Sequence, residues 1–251
     1  MDAKCNHVAQ LHFVVLRSHS LRNFIACLSV VILACGSSAL GQEPALVNVK
    51  TLDPTIVVEL RYAGYNNVSA APLYPADMPA LLRPEVAQRV VKAHAELRKR
   101  GFGLKIWDAY RPKAAHEQLW QYWPDNDYVA SPEEGGSLHT RGVAIDATLV
   151  NAKGKEVKMP TDFDDFTPAA MLQYVGPDPM VRRHLRLLQG AMARAGFYGL
   201  RTEWWHFVAK DWQNYPVTDA GAPAPRAVIA PIVPAARPTG GPQAQRGLRT
   251  R

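Results

Sequence analysis

The segment SLHTRGVAID (137–146) carries His139 and Asp146, and EWWH (203–206) carries Glu203 and His206. Two imidazoles and two carboxylates are parts from which a metal-dependent hydrolase can be built. Neutral nitrogen and carboxylate oxygen ligate a divalent ion, and a further acid can move a proton. His139 and Asp146 are seven apart, which would suit one helix face, but Gly142, Val143 and Ile145 oppose a helix. The expectation is a turn carrying His139, then a strand opened by Gly142 on which Ala144 and Asp146 share a face. Small Ala144 leaves room beside Asp146 for an ion. Glu203 and His206 are three apart, so in a regular strand they would face opposite ways. A bulge or turn must aim both at one place. The spacing is not that of the helical H-E-x-x-H zinc motif. A plainer account of EWWH stands beside this one: Trp204 and Trp205 as core aromatics and His206 as a buried, hydrogen-bonded residue. Cys5, Cys27 and Cys35 all lie near the N-terminus, so any metal must use His and carboxylate.

Together these two segments fit S-x-H-x-x-G-x-A-x-D and E-x-W-H. With them the chain resembles the zinc D-Ala-D-Ala peptidases, most closely the VanX-type D-alanyl-D-alanine dipeptidases. ELRYAGYNN (59–67), WDAYRP (107–112) and MPTDFDDF (159–166) agree in order, and the resemblance spans residues 47–210. ELRYA and FDDF lean toward dipeptidases over carboxypeptidases. One local departure is Leu138, where the family often has a small polar residue. The resemblance implies the α+β fold shared with the hedgehog signalling domain. It also implies one Zn²⁺ held by His139, Asp146 and His206, with Glu203 as catalytic base. That division is chemically sensible, because two imidazoles and one carboxylate leave the ion a net positive charge and an open fourth position. Arg111 matches the position that contacts the scissile carbonyl, and its plainer reading is an ion pair with Asp108. A free dipeptide has an ammonium and a carboxylate to satisfy. Asp164, with Asp165 second, is the candidate for the ammonium, Ser137 for the carboxylate, and Tyr62 for the pocket wall. An acidic turn, a capping hydroxyl and a core aromatic are the plainer readings of these three. Two rival functions remain: a D,D-carboxypeptidase acting on longer stem peptides, and a non-catalytic wall-binding module, against which Glu203 argues.

These groups need a scaffold. PEVAQRVVKAHAELRKRG (84–101) predicts a helix opened by Pro84, striped by Val86, Val90, Ala93 and Leu97, and stopped by Gly101. FGLKIWDAY (102–110) alternates as a strand, and PKAAHEQLWQYW (112–123) predicts a second helix. Residues 124–136 read as loop and GVAIDATLV (142–150) as strand, with NAKG (151–154) turning into KEVKM as a hairpin return. PMVRRHLRLLQGAMARAG (179–196) predicts a third helix with Val181, Leu185, Leu188 and Met192 inward, and FYGLRTEWWHFVAK (197–210) a β-rich close. His94, His116 and His184 fall in helices and read as surface or packing residues. Without regular βαβ units, this pattern is a single α+β domain over 42–215, a small, mostly antiparallel sheet packed with helices.

The ends differ in character. The 251-residue chain carries a net charge of +7, of which residues 1–41 hold +2 and residues 216–251 hold +4, leaving the domain nearly neutral. Nucleic-acid binding is disfavoured on that ground. FIACLSVVILAC (24–35), with Arg17 and Arg22 before it and small residues after it, reads as a secretion signal over 1–41 rather than a membrane span. A mature chain without a membrane span, exported to the periplasm or cell envelope, is the expectation. Lipid anchoring through Cys35 is the less favoured variant. The Pro- and Ala-rich stretch 216–251 reads as a disordered tail. Oligomeric state is not legible.

Overall fold

Residues 45–219 are described in the computed structural model. The expected secretion signal over 1–41, the expected anchoring through Cys35 and the expected tail beyond 219 lie outside them. The chain runs through β1 (Val47–Asn48), α1 (Val49–Leu52), β2 (Val57–Val58), β3 (Leu81–Leu82), α2 (Pro84–Arg98) and β4 (Phe102–Asp108). It continues through α3 (Lys113–Tyr122), β5 (Ala144–Asn151), α4 (Pro179–Arg194), β6 (Phe197–Leu200) and β7 (Glu203–Ala209). Five strands form one sheet in the order β2-β4-β5-β7-β6, and β1 pairs with β3. Only β2–β4 is parallel in the larger sheet; the other pairings are antiparallel. The expected α+β architecture is what the chain adopts.

The helices form for local reasons and stay for tertiary ones. Pro at the first turn opens both α2 and α4, and Asp178 caps α4 by accepting from Met180 N–H at 2.8 Å and Val181 N–H at 3.3 Å. Val86, Val90, Ala93 and Leu97 of α2, and Val181, Leu185, Leu188 and Met192 of α4, are buried where the two helices pack on each other. Their sheet contacts are to β4, β5 and β6. β5 is buried along almost its whole length, so it reads as an apolar run interrupted by Asp146 and Thr148. Among the described residues no helix is long and apolar enough to cross a membrane.

Two irregularities shape the sheet. In β4 the register slips between Ile106 and Asp108, so that Asp108 lies opposite Asp146. In β7 the pairing with β6 jumps from Gly199↔Phe207 to Leu200↔Glu203, leaving residues 204–206 bulged. Trp204 and Trp205 are both fully buried, and both reach the same aromatic cluster with Trp107 and Phe163. Consecutive residues of a regular strand would point to opposite faces.

Two sequence expectations change. The return at KEVKM is brief: Val150 bridges Glu156 and Val157 N–H reaches Leu149 O at 3.2 Å, but no further strand forms. Pro160 has no N–H to extend a ladder. Instead Glu156 anchors the departing chain by accepting from Lys105 Nζ at 2.8 Å, Trp107 Nε1 at 3.1 Å and Arg61 Nη2 at 3.2 Å. At the other end, residues 216–219, which composition assigns to the tail, are held by the domain. Arg83 Nη2 donates to Pro216 O at 2.9 Å, Thr218 N–H to Thr140 O at 3.1 Å, and Tyr110 O–H to Thr218 O at 2.8 Å.

Gly142 is the tightest joint near the site. Its φ is +70°, and a Cβ there would stand 2.8 Å from Leu46 Cδ2 and 3.3 Å from Arg83 N. Gly142→Ala is therefore expected to cost roughly 1–3 kcal/mol, a drop of several degrees in melting temperature for a domain of this size. An unchanged thermal midpoint would show that the turn does not need glycine.

Candidate active site

His139 sits on a short 3₁₀ turn, Leu138–Arg141. Ser137 Oγ caps the turn by accepting from His139 N–H at 3.1 Å, and Gly142 closes it in the left-handed region. The imidazole is aimed by its own Nδ1–H, which donates to Ala109 O at 2.7 Å. That assignment leaves the Nε2 lone pair free and directed inward. Asp146 and His206 reach the same point from neighbouring strands, because they are directly opposite in the β5–β7 ladder.

Three donor atoms then form a small triangle. His139 Nε2 lies 3.2 Å from His206 Nδ1 and 3.4 Å from Asp146 Oδ2, and His206 Nδ1 lies 2.9 Å from Asp146 Oδ1. Ligands on a tetrahedral ion with bonds of about 2.0–2.1 Å stand roughly 3.3 Å apart. Among the described residues this is the one His/Cys/Asp/Glu group placed to hold an ion. Its electrostatics demand positive charge. Burial disfavours ionised Asp146, yet His139 and His206 hold its carboxyl well below the usual range. Burial lowers His206, whereas for His139 the pull of Asp146 and Asp108 outweighs burial and the net shift is upward. A bare imidazole lone pair facing a second imidazole and a carboxylate is best satisfied by a divalent cation.

Glu203 lies beside this triangle. The β7 bulge turns it to the same side as His206, although the two are three residues apart. It is only 5% exposed, and Oε1 has no hydrogen-bond partner. Burial, then Asp146 and Asp164, push its carboxyl well above the ordinary glutamate range.

Arg111 makes the ion pair with Asp108 that the sequence offered, and it also lines the cavity. Its Nε and Nη2 donate to Asp108 Oδ2 at 3.1 and 2.8 Å, and its guanidinium also lies 4.8 Å from the Tyr62 ring centre and faces the cavity. Asp108, which the sequence offered only as a salt-bridge partner, proves to be a fully buried junction. It also accepts from Tyr74 O–H at 2.9 Å and lies 3.4 Å from His139 Nδ1. The i, i+3 spacing within WDAYRP was the available signal.

Asp164 approaches from the far side. Tyr62 O–H donates to its Oδ1 at 3.2 Å and Val68 N–H to its Oδ2 at 2.9 Å. Its φ of +56° is unusual for a non-glycine residue. Burial raises its carboxyl to about 7. One cavity of about 230 Å³ is lined by His139, Asp146, His206, Glu203, Arg111, Ser137, Asp164 and Tyr62 together. Asp165 does not line it, and Leu138 does. The remaining wall includes Asn126–Ala130 and Phe166. Tyr128 stacks on Phe166 at 4.7 Å, and Thr202 Oγ1 ties the loop down by donating to Asp127 O at 3.0 Å. Nothing in the unpatterned 124–136 segment marked it as a wall. His94, His116 and His184 are packing residues: each is buried and hydrogen-bonded, His94 to Leu104 N–H, His116 to Ala130 O and His184 to Lys158 O.

A convergent donor triangle with a free acid alongside places the chain, as a class, among metal-dependent hydrolases. A family model described as Peptidase M15, D-Ala-D-Ala dipeptidase, matches residues 42–220, and the chain belongs to that family. A D-alanyl-D-alanine dipeptidase of Escherichia coli K12 is 33% identical over 172 residues, covering 68% of this chain and 88% of the relative. One from Enterococcus faecium is 30% identical over 181 residues, covering 63% and 87%. Among solved structures, a Zn(II)-bound mutant of the vancomycin-resistance D,D-pentapeptidase VanY aligns with a TM-score of 0.34 and 13% identity, over 56% of this chain and 84% of that one.

The Asp164 environment predicts a pH signature in metal-free protein. The folded state holds this acid protonated up to about 7, while an unfolded aspartate ionises near 3.8. Its contribution to stability is whole below the unfolded value and declines as pH rises toward the folded one. Asp164→Asn is free of this penalty, so its melting temperature relative to wild type should climb from about pH 4 to about pH 7 and then level off. A pH-independent difference would mean that Asp164 ionises normally.

Proposed function

We propose that the protein is a zinc-dependent dipeptidase that hydrolyses D-Ala-D-Ala to two D-Ala in cell-wall metabolism, after export to the periplasm or envelope. The observation that carries the reading is one cavity shared by all the candidate groups. It joins the donor triangle to a buried acid, Asp164, that can pair with the free ammonium of a short substrate. Zinc on His139, Asp146 and His206 would supply a Lewis acid for the scissile carbonyl and make a water acidic near neutrality.

The chain's own groups divide the remaining work. Glu203, off the triangle and unpaired at Oε1, takes the proton of the attacking water and passes it to the leaving amine. Burial, then Asp146 and Asp164, raise its proton affinity above that of an ordinary glutamate. Arg111, clamped by Asp108 and backed by Tyr62, presents fixed positive charge where the carbonyl oxygen becomes an anion. Such a preorganised donor is worth about 3 kcal/mol. Asp164 pairs with the ammonium, and the Ser137 hydroxyl, which accepts from His139 N–H, donates its own proton to the carboxylate.

A D,D-carboxypeptidase would need an open groove for the longer acyl chain. Here Asp164 and the Tyr128–Phe166 stack are part of the wall of a cavity of about 230 Å³. A purely wall-binding protein would have no use for a buried, unpaired Glu203.

Purified protein should release D-Ala from D-Ala-D-Ala, leave an L,L-dipeptide and a muropeptide pentapeptide largely intact, and lose activity to a chelator. Cleavage of the pentapeptide alone would favour the carboxypeptidase. Glu203→Gln should keep stoichiometric zinc while kcat falls about 10²–10⁴-fold. Loss of zinc in that variant would make Glu203 a ligand. Arg111→Ala should lower kcat/KM by about 10²-fold.

A further inference from the structure

The ELRYAGYNN stretch ends in a residue that neither the donor triangle nor the cavity wall uses. Asn67 makes hydrogen bonds in several directions. Its Nδ2 donates to Arg61 O at 3.0 Å, Gly64 O at 2.9 Å and Ala71 O at 3.1 Å. Its Oδ1 accepts from Ser69 N–H at 2.9 Å and lies 2.6 Å from Ser69 Oγ. One amide side chain thus closes the loop from Gly64 to Ala71 on itself, replacing backbone pairs that an irregular segment lacks.

The folded loop has a consequence outside itself. It turns the Val68 N–H away from the loop and onto Asp164 Oδ2 at 2.9 Å, across a sequence separation of 96 residues. The non-glycine residues with positive φ in the described chain are Ala70, at +49°, and Asp164, at +56°. Left-handed geometry within the loop, two residues from Val68, and at Asp164 itself is a cost that persists only where the surroundings over-determine it. With Val68 N–H on one oxygen and Tyr62 O–H on the other, the carboxyl group of Asp164 is held at both oxygens where it lines the cavity.

We infer that Asn67 is a positioning residue for the ammonium end of the substrate: its amide folds the 64–71 loop so that Val68 N–H locks Asp164 in the orientation that receives a primary ammonium. This rests on the reading of Asp164 as the ammonium partner. Asn67 touches neither substrate nor metal, so its removal should weaken ground-state binding without disturbing the chemistry or the donor triangle. A role confined to holding the loop together would lower stability and leave kinetic parameters unchanged.

The test uses full-length, zinc-loaded protein and D-Ala-D-Ala. Asn67→Ala should raise KM about tenfold, the loss expected for one hydrogen bond to a charged group. It should leave kcat within about twofold and zinc affinity, read by competition with a chromophoric chelator, unchanged. In an Asp164→Asn background the same substitution should add little, because the group it positions is gone. An unchanged KM in Asn67→Ala, or an equal rise in both backgrounds, overturns the inference while the ammonium reading survives. An Asp164→Asn chain with normal KM removes the ammonium reading and this inference with it. Should Asn67→Ala fail to fold, Asn67→Asp has nearly the same shape without the amide donors and is held to the same outcomes.

Discussion

Asp146 and His206 face each other across the β5–β7 ladder, with 2.9 Å between Oδ1 and Nδ1. The rest of the site depends on that pairing. A cross-strand pair in register is among the most reproducible distances a protein can build, since two backbones and their hydrogen bonds fix it. His139 completes the triangle from outside the sheet, where Ala109 O and the Ser137 cap fix its ring. Two of the three donors are therefore set by the sheet, and the third by a turn that needs Gly142 to close.

The negative charge gathered at this point is tolerable only with compensation. Asp108 and Asp146 lie opposite each other through the β4 register slip, and Glu203 and Asp164 line the same cavity. Buried carboxylates this close cannot all be ionised without cations. Arg111 supplies one, clamped on Asp108 and 4.0 Å from Asp146. A divalent ion on the triangle would supply the other. The two acids without a fixed cation, Glu203 and Asp164, are those whose carboxyls are pushed upward.

The main helices and strands were legible because each carries its own period and stop signals: Pro84 and the Val86–Leu97 stripe for α2, Pro179 and the Val181–Met192 stripe for α4. The need for a bulge in EWWH was legible too, because two functional side chains three apart contradict a regular strand. The function of Asp108, the cavity wall at Asn126–Ala130 and the loop hub at Asn67 depend on partners far away in sequence. No local pattern encodes those meetings. The domain edge was missed for a related reason. Composition places residues 216–219 in the tail, but Arg83, Thr140 and Tyr110 supply the hydrogen bonds that retain them.

The central claim is that side chains from a turn and two strands grip one divalent cation while leaving a corner open. Zinc X-ray absorption on the purified protein tests it most directly. The account predicts one ion per chain in a shell of two imidazole nitrogens and oxygen donors at about 2.0–2.1 Å. A shell without histidine nitrogen, or a chain that takes up no stoichiometric zinc, would contradict it.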